Sequence, residues 1–263
     1  MIDRKGRDMK TEKINYEITE QDFFRDGKRI AGELYLPDLP FCPLVIISHG
    51  FGGNGDHSKP YAEYFAKNGI AAYVFDFIGG GEDIRSDGKM TEMSVLTEEK
   101  DLNIILDGLK ENLQIDKENI FLLGRSQGGY VSTLVASERS QEIKGMVLLY
   151  PAYVIQDDVM ERTDNGKYFE PLSSFLNHTV SDIYDRDAFT VDIYARMRKY
   201  SGNVLIIHGA DDQIVPIAYS CEAIETFPHA RMEIIEGGGH GFLDKDNDKA
   251  MRLSLDFIKE NLD

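Results

Sequence analysis

The chain has 263 residues, 42% hydrophobic and 29% charged, a balance that supplies a sizeable core and excludes a disordered, collagen-like or coiled-coil chain. Acidic residues outnumber basic ones, 46 to 29, and the resulting charge of −17 repels nucleic-acid phosphates and anionic membranes. No run approaches the roughly 18 consecutive apolar residues of a membrane-spanning helix, so no membrane span is expected.

In chain order, Met1–Lys10 carries charges with no apolar stretch behind them. It reads as a ragged, partly mobile end rather than a signal peptide. Ile14–Phe24 and Arg29–Leu36 flank Asp26-Gly27, a hairpin turn signal, and predict an antiparallel edge. From there short β-rich runs alternate with helical segments, the pattern of a parallel sheet covered by helices. The runs are Leu44–Ser48, Ile70–Phe75, Ile120–Leu123, Met146–Tyr150, Val204–His208 and Met232–Ile235. Several are nearly all apolar, as strands buried on both faces must be. Helices are expected at Pro60–Lys67, Ser94–Asn112, Gln127–Ser137, Ile217–Phe227 and Asp248–Asn261.

One stretch breaks the alternation. Pro151–Ser201, rich in Tyr and Phe, is too long for a plain connection. It predicts an inserted, mostly helical cap, with residues 1–150 and 202–263 forming the core. Cys42 and Cys221 are far apart and in no metal-like spacing. They read as reduced packing residues of a cytoplasmic protein.

The chemistry centres on Gly124-Arg125-Ser126-Gln127-Gly128, directly after one strand and directly before a helix. A sharp strand–turn–helix lifts a serine side chain above the sheet edge, and its crowding requires the flanking glycines. A serine hydroxyl needs a base to take its proton. Of His49, His57, His178, His208, His229 and His240, the last sits in Gly237-Gly-Gly-His-Gly-Phe242, a glycine-rich loop after the final strand. It can swing over a neighbouring strand's serine. His208 ends a buried strand and reads as structural, while His57, His178 and His229 read as solvent-facing or loop residues. A carboxylate must orient the base. Asp211 and Asp212 both follow the penultimate strand, and either gives the order serine, acid, histidine. Oxyanion donors are expected from the amides of Gln127, at the helix start, and Phe51, in Ser48-His-Gly-Phe-Gly-Gly53.

Gly50-Phe-Gly-Gly-Asn-Gly55 also spells a dinucleotide-binding pattern. It follows the third strand, and the helix signal at Ser58–Pro60 comes several residues after its last glycine. A pyrophosphate would not reach that helix's N-terminus. No metal-binding spacing occurs, and Asp244–Asp248 reads as a turn before the last helix.

Taken together, Ser48–Phe51, Phe75–Phe77, Ser86–Lys89, Met93–Val95, Gly124–Gly128, Asp192–Tyr194, Ile207–Pro216 and Glu236–His240 resemble the α/β-hydrolases. Within that superfamily the chain resembles bacterial cinnamoyl (feruloyl) esterases. The resemblance implies a mostly parallel eight-stranded sheet flanked by helices, with an inserted cap. It implies that Asp212, four residues after His208, is the acid. It also implies that Asp158 and Tyr184 of the cap meet the phenol end of a hydroxycinnamoyl group. Gly79-Gly-Gly-Glu82 departs from the family's usual loop. The expected activity is serine carboxylester hydrolysis of a small-molecule ester, with no cofactor, metal, nucleic acid or membrane partner. A homodimer is compatible with the sequence. A monoacylglycerol lipase, thioesterase or peptidase would share the core motifs, and a non-catalytic binding protein on the same scaffold is the third reading.

Overall fold

In the computed structural model, which describes residues 14–262, two strands of opposite direction precede a parallel sheet. The expected loose end at Met1–Lys10 lies outside the described residues. The Ile14–Phe24 run is split by a break after Glu20 into β1 (Tyr16–Glu20) and β2 (Phe23–Arg25). The Arg29–Leu36 run likewise becomes β3 (Lys28–Ile30) and β4 (Gly32–Pro37). Asp26 and Gly27 turn β2 into β3 with φ of 52° and 79°, the two positive values of a hairpin turn matched to strand twist.

The chain continues through β5 (Cys42–Ser48), α1 (Lys59–Ala66), β6 (Ala71–Phe75), α2 (Val95–Lys110), β7 (Ile115–Arg125), α3 (Gln127–Glu138) and β8 (Gly145–Leu149). Between β8 and the next sheet strand come α4 (Ile155–Arg162), β9 (Leu172–Phe175), β10 (His178–Ser181), α5 (Asp182–Phe189) and α6 (Ile193–Lys199). β11 (Asn203–Gly209), α7 (Ala218–Thr226), β12 (Ala230–Ile235) and α8 (Asp244–Glu260) complete it. The sheet has eight strands in the order β1-β4-β6-β5-β7-β8-β11-β12, antiparallel only where β4 meets β1 and β6.

Strand alternation divides the core into two apolar layers. Leu44, Ile46, Leu122 and Met146 face α2, α3 and α6. Val45, Ile47, Phe121 and Val147 face the opposite way, onto α1 and α8. Every residue of β6 and β8 is buried, which is why their sequences show no polar alternation.

Two local expectations, at Asp244–Asp248 and Cys221, are corrected by the structure, and the 151–201 segment holds more than its helical pattern shows. The 151–201 segment contains the β9–β10 hairpin as well as three helices. Those strands are four residues each, with Val180 the only fully buried position, so they lack a strand pattern. The segment also shares the core: Ile155, Val159, Ile193, Met197 and Tyr200 bury in the same apolar cluster as the sheet. Asp244–Asp248 forms the first turns of α8 rather than a turn before it. Carboxylates there favour the positive end of the helix dipole. Finally, Cys221 is exposed on α7, whereas Cys42 is buried. No helix among the described residues is long and apolar enough to cross a membrane.

Candidate active site

β7 ends at Arg125 and α3 begins at Gln127, leaving Ser126 alone to make the turn at φ 51° and ψ −120°. Such a conformation costs a non-glycine residue about 1–3 kcal/mol and must be held by its surroundings. Ser126 N donates to Leu149 O at 2.9 Å, and Ser126 O accepts from Gly129 N at 2.9 Å and Ala152 N at 3.0 Å. The flanking glycines are forced by space. A Cβ on Gly124 would stand 2.4 Å from Gly128 O, and one on Gly128 would stand 2.4 Å from the carbonyl oxygens of both Ser48 and His49.

Three loops at the C-terminal ends of β7, β11 and β12 bring Ser126, Asp212 and His240 together. His240 Nε2 lies 2.9 Å from Ser126 Oγ, and His240 Nδ1 lies 2.8 Å from Asp212 Oδ2. A carboxylate only accepts, so Nδ1 carries the proton and Nε2 is free to take one from the serine. Asp212 is buried, and its neighbour Asp211 is exposed. Asp212 Oδ1 accepts from Ile214 N and Val215 N, both at 2.9 Å. Its Oδ2 also faces His208 Nε2 at 3.2 Å. His208 Nε2 lies 2.9 Å from Val215 O as well, and Nδ1 lies 2.7 Å from Ser220 Oγ. Two acceptors around Nε2 fix the proton there. Burial lowers the His208 pKa and keeps the ring neutral. His208 is therefore a donor that holds the acid in place, a role its sequence position at the end of a buried strand does not announce.

The Ser48–Gly53 loop closes over the serine from the other side. A Cβ on Gly50 would come within 3.0 Å of Ser126 Cβ. His49, buried and held neutral by that burial, accepts from Phe77 N at 3.0 Å through Nε2 and donates to Gly50 O at 2.8 Å through Nδ1. The carbonyl and N–H of a trans peptide point in opposite directions, so fixing Gly50 O turns Phe51 N–H away from His49. Neither Phe51 N nor Gln127 N donates to a protein acceptor among the described residues. The Gly79–Glu82 loop supports this arrangement. Gly80 packs on His49, and Gly81 pairs with Gly52 so closely that a Cβ there would stand 2.4 Å from Gly53 O.

Two clefts meet at Ser126. One, of about 280 Å³, is mainly apolar and includes Phe51, Ile155, Phe175 and Ile214 in its walls. Asp158 and Tyr184 also line it. Asp158 is half-buried, and that burial raises its carboxyl pKa. Tyr184 is buried, and its hydroxyl donates to Gln127 Oε1 at 2.7 Å. Gln127 Nε2 in turn donates to the buried Glu98 at 2.8 Å. Burial raises the Glu98 pKa well above the ordinary carboxyl range. The second cleft, of about 180 Å³, has Asn54, His57, Arg125, Tyr150 and His240 in its walls together with the Gly50–Phe51 backbone.

The family model described as serine aminopeptidase, S33, matches residues 41–188, a span that contains the Gly124–Gly128 turn and the Ser48–Gly53 loop. The chain belongs to this hydrolase family. Its fold is that of the α/β-hydrolases: Est1E from Butyrivibrio proteoclasticus, in a structure with ferulic acid bound, superposes with a TM-score of 0.85. That pair is 24% identical, over 92% of this chain and 98% of the other. The putative esterase/lipase 2 of Mycoplasma genitalium is 24% identical over 251 residues, 84% of this chain and 89% of that one. Human monoglyceride lipase is 24% identical over 64% of this chain, a match spanning 56% of the lipase.

Within this hydrolase scaffold, the structure brings all seven of Ser126, Asp212, His240, Phe51, Gln127, Asp158 and Tyr184 to the two clefts or their immediate support. Three further residues join them. His208 stands beside Asp212 from four positions earlier in the chain, and Glu98 reaches Gln127 by a buried hydrogen bond from 29 positions away. His178 is expected in a loop or facing solvent. Instead it stands on β10 with its ring edge-on to Phe51 at 5.7 Å, and Nδ1 lies 3.2 Å from Glu82.

Proposed function

We propose that the protein is a serine carboxylester hydrolase acting on hydroxycinnamate-type esters. Ser126 Oγ attacks the ester carbonyl while His240 Nε2 takes its proton. The Phe51 and Gln127 amides bind the oxyanion, and Asp212 holds the tautomer and stabilises the imidazolium. His240 returns the proton to the departing alcohol. Water, deprotonated by His240, then releases the acid. No step calls for a cofactor.

One observation carries the acyl specificity: the apolar cavity that ends at Ser126 has two hydrogen-bond acceptors, Asp158 and the Tyr184 oxygen, among its aromatic and aliphatic walls. Tyr184 has committed its proton to Gln127, so towards a ligand it can only accept. A ring bearing a hydroxyl donor matches that lining. A ring without one leaves the acceptors dry, at a cost of about 1–3 kcal/mol. In this reading α4, the β9–β10 hairpin and α5, within residues 151–201, serve as the cap over the acyl group. The Est1E likeness supports it. A second reading, monoacylglycerol hydrolysis, is favoured by the similarity to monoglyceride lipases and by the aliphatic Val154, Ile155 and Ile214 in the same wall.

The deciding measurement is kcat/KM for methyl ferulate, methyl p-coumarate, methyl cinnamate and a series of monoacylglycerols. Hydroxylated cinnamates are expected to exceed methyl cinnamate by about 5- to 150-fold, the equivalent of that desolvation cost. The double variant Asp158→Ala with Tyr184→Phe is expected to shrink the ratio while sparing short p-nitrophenyl esters. Equal rates on both cinnamates, or a preference for long aliphatic chains, would remove the hydroxycinnamate assignment.

A further inference from the structure

Ester hydrolysis at Ser126 leaves two substituents to place, and the structure offers two unlike spaces. With the acyl group in the apolar cavity, the alcohol portion falls in the smaller cleft that also reaches Ser126 and has Arg125 in its wall. The defining side chain of that cleft is Arg125. Its Nε donates to Tyr150 Oη at 3.1 Å, and Nη1 donates to His57 O at 2.5 Å. Its guanidinium lies over the Tyr61 ring, 5.9 Å from the centroid. All these partners are uncharged.

That is unusual in this molecule. The chain has 46 acidic residues against 29 basic ones, and the other arginines near the clefts are paired: Arg85 with Glu33 and Asp76, Arg162 with Asp185. Among the described residues no Asp or Glu forms an ion pair with Arg125. Two neutral acceptors take two of its five N–H donors, and Arg125 lines a cleft one residue from the nucleophile with three donors left over. The half-buried head is held in place by Tyr150, His57 and Tyr61 rather than free to follow solvent, so its geometry is pre-set for a planar anion.

We propose that Arg125 makes this second cleft a subsite for esters whose alcohol portion carries an anionic group, a carboxylate or a phosphate. This rests on the ester-hydrolase reading of Ser126. Arg125 is a binding residue in this scheme, and the negative field of the chain as a whole sharpens its selectivity. An anion gains only where the guanidinium is within contact distance and is repelled elsewhere.

The test uses ester pairs with one common acyl group. Esters of 3-hydroxypropanoate and 3-hydroxypropanamide differ in charge and little in shape, and acylglycerol 3-phosphate against acylglycerol repeats the comparison with a phosphate. In the wild type the anionic member of at least one pair is expected to show about tenfold or higher kcat/KM, in line with a charge-assisted hydrogen bond. Which pair responds separates carboxylate from phosphate recognition. Arg125→Gln is expected to bring the ratio to one or below, and Arg125→Lys to keep part of it. Raising NaCl from about 20 mM to about 500 mM is expected to reduce the wild-type ratio by screening. Binding of free 3-hydroxypropanoate and glycerol 3-phosphate against their neutral counterparts, followed by NMR titration, gives a readout that needs no turnover. Equal handling of both members of both pairs by the wild type overturns the subsite, as does a ratio unchanged in Arg125→Gln. Failure to cleave any ester would instead overturn the ester-hydrolase reading, and the binding comparison would still decide the role of Arg125.

Discussion

Asp212→Asn isolates the orienting carboxylate with almost no change of volume. In the wild type its two oxygens accept hydrogen bonds from Ile214 N, Val215 N and His240 Nδ1, and Oδ2 also faces His208 Nε2 at 3.2 Å. An asparagine offers one acceptor oxygen. The backbone pair at 2.9 Å fixes that oxygen towards Ile214 and Val215. The amide NH2 then faces both histidines. Against His240 Nδ1 it acts as a donor, so the imidazole moves its proton to Nε2 and presents N–H to Ser126. In that tautomer it cannot accept the serine proton. A loss of about 10⁴ in kcat follows, near 5.5 kcal/mol of transition-state stabilisation. Against His208 Nε2–H the same NH2 makes a donor–donor contact in a buried place, costing about 1–3 kcal/mol of stability. The adjacent Asp211 is exposed, and Asp211→Asn is expected to change kcat less than about threefold. The assay is steady-state hydrolysis of p-nitrophenyl acetate with active-site titration, alongside urea unfolding of each variant. An Asp212→Asn enzyme within tenfold of wild type, or a larger loss from Asp211→Asn, would refute the assignment of the acid.

Two further variants test the turn and the buried network. Ser126→Ala is expected to fold and to lose about a million-fold in kcat, whereas Ser126→Gly relieves the positive φ of 51° and is expected to raise thermal stability by about 1 kcal/mol or more; a lower melting temperature for the glycine variant than for the alanine variant would contradict the strain argument. Burial raises the Glu98 pKa far above its ordinary 4.5, so the folded chain keeps a proton that the unfolded chain releases. That contribution is fully present below pH 4.5 and is lost as pH rises through the folded pKa, at about 1.4 kcal/mol per unit. Glu98→Gln removes the loss, so its stability relative to wild type is expected to increase with pH above that value. Urea midpoints from pH 4 to pH 8 check this, and parallel curves for the two proteins would exclude a protonated Glu98.

The sheet is legible in the sequence because strands buried on both faces have to be apolar throughout, and Leu44–Ser48, Ile70–Phe75 and Met146–Tyr150 are. The turn at Ser126 is legible for a similar reason. Backbone crowding there admits only glycine at 124 and 128, so its geometry is written into residue identity at adjacent positions. Where a side chain's role comes from segments far apart in the chain, no local pattern records it. Spacing along the chain leaves Asp211 and Asp212 equivalent apart from the family resemblance, and burial of Asp212 against His208 and His240 separates them. Glu98 and Tyr184 owe their partner Gln127 to contacts across 29 and 57 positions, closed only when α2 and α5 pack around the same turn. The β9–β10 hairpin escapes sequence reading because its strands are short and half-exposed. Its Leu176–Asn177 turn has φ of 47° and 67°, a conformation that a leucine's own preference does not announce. Residue identity thus determined the scaffold and the position of the nucleophile. The convergence of distant loops decided which carboxylate meets His240, which polar groups line the apolar cavity at Ser126, and that Arg125, on the other side of it, forms no ion pair among the described residues.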